Sequence, residues 1–389
     1  MGSTVIQRIV ISGYYGFDNS GDEAVLQSIL FALEEQGQQQ GIKVEPIVLS
    51  GNPARTTEMY GVRAVPRMKI GAVLGALRES SGLISGGGSL LQDATSSRTI
   101  PYYLAILKLA QWLRKPTFIY SQGIGPVNKQ MFWPWIRSTM SKCAYISVRD
   151  EESAQLLVQM GVKTERIEVV PDPVLGLPLR ASGSREAADA ASSADQPVIG
   201  VSVRPWEADR SELAALADCL RRVSAAAVSI RLLPFHLPMD EEASEYVAAR
   251  MAQTAGGDGG AGAAAAAVAP SSVTIARGIT HPQDMIAEVA SCDLVIGMRL
   301  HSLIYAASQH VPMVGISYDP KIDHFMHRLG MEPAASTRSI DAEKLSEHVL
   351  ELLAARDKWR SQKMTAIDNL KAQAQQPAQQ IINYLRLKL

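Results

Sequence analysis

The chain has 389 residues, 38 Lys+Arg against 39 Asp+Glu, a formal net charge of −1 and 47% apolar residues. That length exceeds one ordinary core, so two domains are expected, and the apolar content excludes global disorder. The balanced charge lacks the basic surplus of a nucleic-acid binder, although it leaves room for a local basic pocket.

The first half alternates short β-rich runs with longer amphipathic ones. Strands are expected at 8–12, 44–50, 82–85, 117–121, 145–148 and 167–170. Between them, Val25, Leu26, Ile29, Leu30 and Leu33 share one face at helical spacing. Pro101 opens a second helix, and a third over 151–160 closes on Gly161. Residues 180–196 lose the pattern and fill with Ala, Ser and Asp.

Alternation then restarts. Strands are expected at 198–203, 228–233, 273–276, 294–296 and 312–316, and helices at 212–223, 240–251, 282–290 and 300–309. Residues 254–270 are low-complexity Gly and Ala and read as a surface loop. The last 50 residues are helical and polar. The expected division is a first Rossmann-like domain at 1–180, a linker at 181–196, a second Rossmann-like domain at 197–340 and helices at 341–389. The fold class is α/β with two doubly wound, mostly parallel sheets. Ligands of such sheets bind beyond the carboxyl ends of strands, so the cleft between two domains is the expected functional place.

Three cysteines, Cys143, Cys219 and Cys292, form no CxxC and suit no disulfide framework, so reduced, buried thiols in a cytoplasmic protein are expected. No secretory leader or run of about 20 apolar residues is evident. Peripheral membrane contact stays open.

The chemistry-bearing motifs follow strands. The turn Gly13-Tyr14-Tyr15-Gly16-Phe17-Asp18-Asn19-Ser20-Gly21-Asp22 is no dinucleotide fingerprint, because Asp18 and Asp22 would repel a phosphate. A neutral polar ligand such as a sugar fits it better; the alternative is a structural turn with Ser20 or Asp22 capping the next helix. Gly86-Gly87-Gly88, with Asp93 beyond, is hard to explain by packing alone and suggests a ligand lying against the chain. Gln122-Gly123-Ile124-Gly125-Pro126 either joins it or makes room for it. Arg149-Asp150 reads as an internal ion pair or a site pair. Asp172, between two prolines, is a rigid station for a carboxylate in the cleft.

In the second half, Gly297-Met298-Arg299-Leu300-His301-Ser302 follows a buried strand and opens a helix. An Arg fork recognises phosphate or carboxylate, and His moves protons near neutral pH. Arg204 follows another strand, so two arginines could clamp one dianion. His236 ends the next strand, and Lys321 adds a cation after the last. Asp240-Glu241-Glu242 reads as a helix N-terminal charge cluster. There is no GxSxG elbow, P-loop, HExxH or paired-Cys pattern, and no metal is expected.

Taken together, GYYGFDNSGDEAVL, SGGGSLLQD, QGIGP, VRDEES, PDPV and IGMRLHSLIYA…VPMVGISYDPK resemble the polysaccharide pyruvyltransferases over nearly the whole chain. The resemblance is nearest to the branch that pyruvylates a bacterial secondary cell-wall polymer. It implies a GT-B-like pair of Rossmann-type domains and transfer of pyruvate from phosphoenolpyruvate onto two hydroxyls of a sugar as a ketal, without a cofactor. For that branch it implies a 4,6-ketal on an N-acetylmannosamine carried on a polyprenyl diphosphate, made in the cytoplasm at the inner face of the membrane. Arg204, His236, Arg299, Leu300, His301 and Lys321 then bind phosphoenolpyruvate, with His301 and Arg299 catalytic. Gly16, Asp18, Asn19, Asp22, Gly86, Gly87, Gly88, Asp93, Arg149 and Asp172 would hold the acceptor.

Two other readings stay open. One is a sugar-nucleotide glycosyltransferase of the same fold, although no acidic ribose clamp stands out. The other is a non-catalytic saccharide-binding protein, which would not need convergent cations and a His. A further run, Lys129 to Arg137, sets Met131, Phe132, Trp133, Trp135 and Ile136 between basic ends. It is either ordinary helix packing or a patch for the lipid interface.

Overall fold

A computed structural model describes residues 5–94, 96–180, 196–253 and 272–388. The expected linker, apart from Gln196, and the low-complexity run 254–270 lie outside the described residues. The chain divides into two compact units, Met1–Pro178 with Asp368–Leu389, and Leu179–Ile367.

The first unit runs β1 (Val5–Ser12), α1 (Ser20–Gln39), β2 (Ile42–Ser50), α2 (Pro53–Tyr60), β3 (Arg63–Pro66), α3 (Ile70–Glu79), β4 (Gly82–Ser85) and β5 (Gly88–Leu91). It continues with α4 (Thr99–Trp112), β6 (Thr117–Ile124), α5 (Trp133–Met140), β7 (Tyr145–Val148), α6 (Glu151–Gln159) and β8 (Glu168–Val169). The sheet is parallel in the order β3-β2-β1-β4-β6-β7-β8, with β5 paired to β6. Ile9, Val10 and Ile11 of the central strand have no exposed surface, as a strand covered by helices on both faces requires.

The second unit runs β9 (Val198–Ser202), α7 (Ser211–Ser224), β10 (Ser229–Leu232), α8 (Met239–Ala252), β11 (Val273–Ile275), α9 (Pro282–Ala290) and β12 (Leu294–Gly297). It continues with α10 (Leu300–Ser308), β13 (Met313–Ser317), α11 (Pro320–Arg328), β14 (Ala335–Ser336) and α12 (Ala342–Ala354). Its parallel order is β11-β10-β9-β12-β13-β14. Helix α13 (Arg356–Gln373) leaves it, and α14 (Gln376–Arg386) belongs to the first unit, where Tyr384 meets Phe118 edge-on and Asn383 accepts from Gln40 at 2.9 Å.

Both sheets therefore have the doubly wound order, and the fold class expected from the sequence is found. In each, the strand order reverses between two neighbours, β1 and β4 in the first unit, β9 and β12 in the second. The diverging connections open a crevice above the carboxyl ends of those strands. The short elements β3, β5, α2 and α3 were not expected. RAVP ends in a proline and GSLL begins with a glycine and a serine, turn-forming residues that mask so short a strand.

Candidate functional site

In the second unit, Ser202 of β9 and Gly297 of β12 are register partners. Arg204 and Arg299 stand two residues beyond this pair, so two cations flank the reversal point of the sheet. Both pull on the Tyr318 phenol, whose pKa burial nevertheless raises.

Arg299 is not a free fork. Its Nε donates to Asp240 Oδ2 at 3.0 Å and its Nη2 to Oδ1. Asp240 has no exposed surface and also accepts from the amides of Phe235 (3.1 Å) and His236 (2.9 Å). Asp240, Glu241 and Glu242 stand in the first turn of α8 as expected, and Asp240 does more: it ties the end of β10 to the end of β12. The two-arginine clamp changes accordingly, because Asp240 neutralises one of its charges.

Arg204 supplies the charge that Asp240 removes. It has no ion pair among the described residues. Its guanidinium donates to the Tyr318 hydroxyl and lies 4.5 Å from the Tyr318 ring centroid and 5.0 Å from that of Trp206. Those rings touch each other, with centroids 4.6 Å apart. Glu212, buried at the start of α7, accepts from the Trp206 amide at 2.8 Å and holds the loop after β9. Arg204 is therefore held in place by aromatic faces, with its charge uncompensated by an acid.

His301 and Leu300 lie in the first turn of α10, both partly exposed. Arg299 is the N-cap residue and gives no side-chain cap, while the Ser302 hydroxyl donates to the Arg299 carbonyl at 2.6 Å. An uncapped helix start beside two arginines favours an anion. A Cβ on Gly297 would lie 2.6 Å from Ser302 Oγ and Leu303, so glycine is what lets α10 start this close to β12. Lys321 opens α11 with its ammonium 3.8 Å from Asp319. His236 donates its backbone N–H to Asp240.

The first-unit residues separate into those that build the fold and those that border open space. Asn19 is the N-cap of α1, accepting from Gly21, so neither Ser20 nor Asp22 caps the helix. Asp18 pairs with Arg55 at 2.5 Å. Asp93 accepts from the Asn128 and Lys129 amides, both at 2.8 Å; desolvation pushes its pKa up, but these bonds together outweigh it, lower the pKa and pin that loop. Arg149 and Asp172 are both buried and pair with each other at 3.4 Å. Arg149 also reaches Asp150 at 3.6 Å and donates to Ser89 at 2.9 Å.

The expectation that packing alone does not explain the glycines is corrected. A Cβ on Gly86 would collide with the Tyr15 hydroxyl, and one on Gly87 would press Val25 at 3.0 Å. One on Gly123 would meet Arg149 Nε at 2.8 Å and Ser89 Oγ at 2.9 Å. Gly16 and Gly88 have positive φ, +81° and +84°, which glycine adopts without strain.

Around Asp22 the structure gathers groups the sequence reading missed. Arg67, directly after β3, lies 4.4 Å from the Tyr102 ring centroid and 5.4 Å from those of Phe17 and Tyr103. It donates to the Gly13 carbonyl at 3.0 Å and to Tyr103 Oη at 3.2 Å. Tyr14 stacks on Phe17 at 4.3 Å, and both rings remain more than a third exposed. Asp22 raises the pKa of Tyr14 and Tyr15, second in each case to desolvation. Glu23 is nearly buried and accepts from the Gly16 amide at 2.7 Å and Tyr60 at 2.8 Å; burial raises its pKa against those bonds. Recognising β3 would have put Arg67 at a strand end.

A family model described as polysaccharide pyruvyl transferase matches residues 19–320. No protein of curated function matches the sequence. Among solved structures, the chain is similar to the UDP-GlcNAc 2-epimerase of Neisseria meningitidis bound to UDP-GlcNAc, at 10% identity and TM-score 0.62, covering 99% of this chain and 100% of that one. It is similar to the UDP-GlcNAc 2-epimerase of Methanocaldococcus jannaschii, at 13% identity and TM-score 0.62, covering 90% and 93%. It is also similar to Anabaena HepE in complex with UDP-glucose, at 14% identity and TM-score 0.57, covering 98% and 100%. At these identities the likeness concerns the fold, which is GT-B-like, with two α/β domains each built on a parallel sheet.

Proposed function

The chain belongs to the polysaccharide pyruvyl transferase family, and from that premise we propose that it moves pyruvate from phosphoenolpyruvate onto two hydroxyls of an N-acetylmannosamine, forming a 4,6-ketal on a lipid-linked precursor of a secondary cell-wall polymer. The observation that carries the donor assignment is the pair Arg204 and Arg299 flanking the β9/β12 reversal point, beside His301 and the uncapped start of α10. Phosphoenolpyruvate has a phosphate and a carboxylate, and this is a place with several cationic and amide donors.

The chemistry assigns work to each group. Protonation of C3 makes C2 electrophilic; one sugar hydroxyl adds there. The C2–O bond to phosphate breaks, and the second hydroxyl adds to close the ketal. Of the two hydroxyl protons, one balances that placed on C3 and the other leaves with inorganic phosphate. His301 is the acid/base. Arg204 and the α10 amides hold the anionic groups, Lys321 adds charge, and Arg299 braces the turn through Asp240 while offering its remaining N–H groups. No cofactor enters this scheme. In the first unit, Asp22 with the Tyr14–Phe17 rings is the acceptor-facing set, while Asn19, Asp93, Arg149 and Asp172 shape the loops around it. A phosphoenolpyruvate donor makes the reaction cytoplasmic.

The test is incubation with phosphoenolpyruvate and a polyprenyl-diphosphate-linked N-acetylmannosaminyl disaccharide. Phosphate release matched by a new ketal methyl signal in NMR is expected. Turnover of a UDP-sugar with none of phosphoenolpyruvate would reject the reading.

A further inference from the structure

We propose that the outer face of α4 and α5 seats the protein on an anionic lipid bilayer. The two helices are fastened side by side: Lys108 donates to Ser138 Oγ at 3.0 Å and Gln111 to the Thr139 carbonyl at 3.0 Å. Their inner faces fill the core through Ile106, Leu107, Ala110, Ile136 and Met140. Outside, Trp112 is 76% exposed, Met131 63% and Trp135 51%. Two tryptophans in water on this pair of helices, with Met131 in the turn that leads into α5, exceed what scattered surface apolarity explains.

The charge around them is one-sided. From Ala94 to Lys142 the sequence has seven basic residues and no acidic one, in a chain whose net charge is −1. Lys108, Arg114, Arg137 and Lys142 have no ion pair among the described residues. Desolvation, and after it the charge of Lys142, lowers the Lys108 pKa, as expected of neighbouring cations. Along α5, a hollow of about 340 Å³ is lined by Trp133, Pro134, Arg137, Ser138, Ser141 and Met160. Tryptophan belongs at the boundary between headgroups and acyl chains, and lysine and arginine beside it meet anionic headgroups. A protein partner of ordinary composition would leave the cations unmatched; an anionic bilayer matches both features. The inference extends the reading of a lipid-linked acceptor, but its test contains no substrate, so either can fail alone.

The full chain is sedimented with vesicles of phosphatidylcholine alone and of equal parts phosphatidylcholine and phosphatidylglycerol. Binding to the anionic vesicles, weakened by salt, is expected. Trp112→Ser with Trp135→Ser should reduce it about tenfold or more at an unchanged melting temperature. Arg114→Gln with Lys142→Gln keeps both rings and should flatten the salt dependence. No binding by the wild type, equal binding to neutral vesicles, or both double variants binding like the wild type would overturn the proposal. So would a dimer that Trp135→Ser dissociates with no vesicle binding, which gives the face to a second copy.

Discussion

Arg299 and Asp240 form a two-point ion pair whose carboxylate has no exposed surface, and the same carboxylate accepts the Phe235 and His236 amides. Removing either partner strands a buried charge, which typically costs about 3–5 kcal/mol. Arg299→Ala and Asp240→Ala should each lower the melting temperature by roughly 6 °C or more for a domain of this size. The double variant should lose less than the sum of the two, because it leaves no charge unpaired. Additive losses in a thermal melt would show that the pair does not act as a unit.

Arg299 is also the instructive case for what a sequence reveals. The position after β12, the glycine before it and the helix behind it are all legible locally, because a strand–turn–helix is contiguous. Asp240 is 59 residues away, in a run of three acids that has the composition of an exposed helix start. Only the β9-β10-β12 neighbourhood turns that acid inward. Arg67 was hidden for another reason: its strand, RAVP, is short and ends in a proline, which reads as a loop. The glycines misled differently. Gly86 and Gly87 follow a strand as ligand-cradling glycines do, yet Tyr15 and Val25 occupy the space. The central strands β1, β9 and β12 were readable because their buried ends show as short apolar, β-branched runs.

Two glycines separate close packing from backbone freedom. At Gly86 an added methyl collides with the Tyr15 hydroxyl, so Gly86→Ala should cost about 1–3 kcal/mol through forced displacement of a fully buried ring. Gly75, on the exposed face of α3, has nothing within 4 Å of a Cβ. Gly75→Ala should stabilise by about 0.5–1 kcal/mol, since alanine loses less freedom in a helix. Denaturant midpoints of the two variants should therefore move in opposite directions.

Glu23 gives stability a pH dependence of unusual sign. Burial raises its pKa in the folded state, outweighing the bonds from Gly16 and Tyr60. The folded protein then binds this proton more tightly than the unfolded chain, so Glu23's contribution is greatest below the unfolded pKa and is lost as pH rises through the folded one. Glu23→Gln keeps an oxygen for the Gly16 amide and a polar partner for Tyr60, without the buried charge. The variant should melt above the wild type at neutral pH, with the gap closing as pH falls into the carboxylate range. A gap that widens in acid would reverse the assignment.

The donor assignment separates into a binding part and a chemical part. Arg204 is held by the Tyr318 and Trp206 rings and has no ion pair among the described residues, so Arg204→Ala removes a charge-assisted contact and leaves no orphaned acid. It should cost about 1.5–3 kcal/mol of donor binding, about 10- to 150-fold in the KM for phosphoenolpyruvate, with the acceptor KM and the melting temperature little changed. His301→Gln keeps a polar side chain at the start of α10 but removes the proton shuttle. It should lower kcat by about 10²–10⁴-fold with a smaller change in the phosphoenolpyruvate KM. The two variants are compared in one phosphate-release assay with donor and acceptor varied in turn. A His301→Gln enzyme with normal kcat would remove His301 from the chemistry, and an Arg204→Ala enzyme whose acceptor KM rises instead would put the acceptor in the second unit.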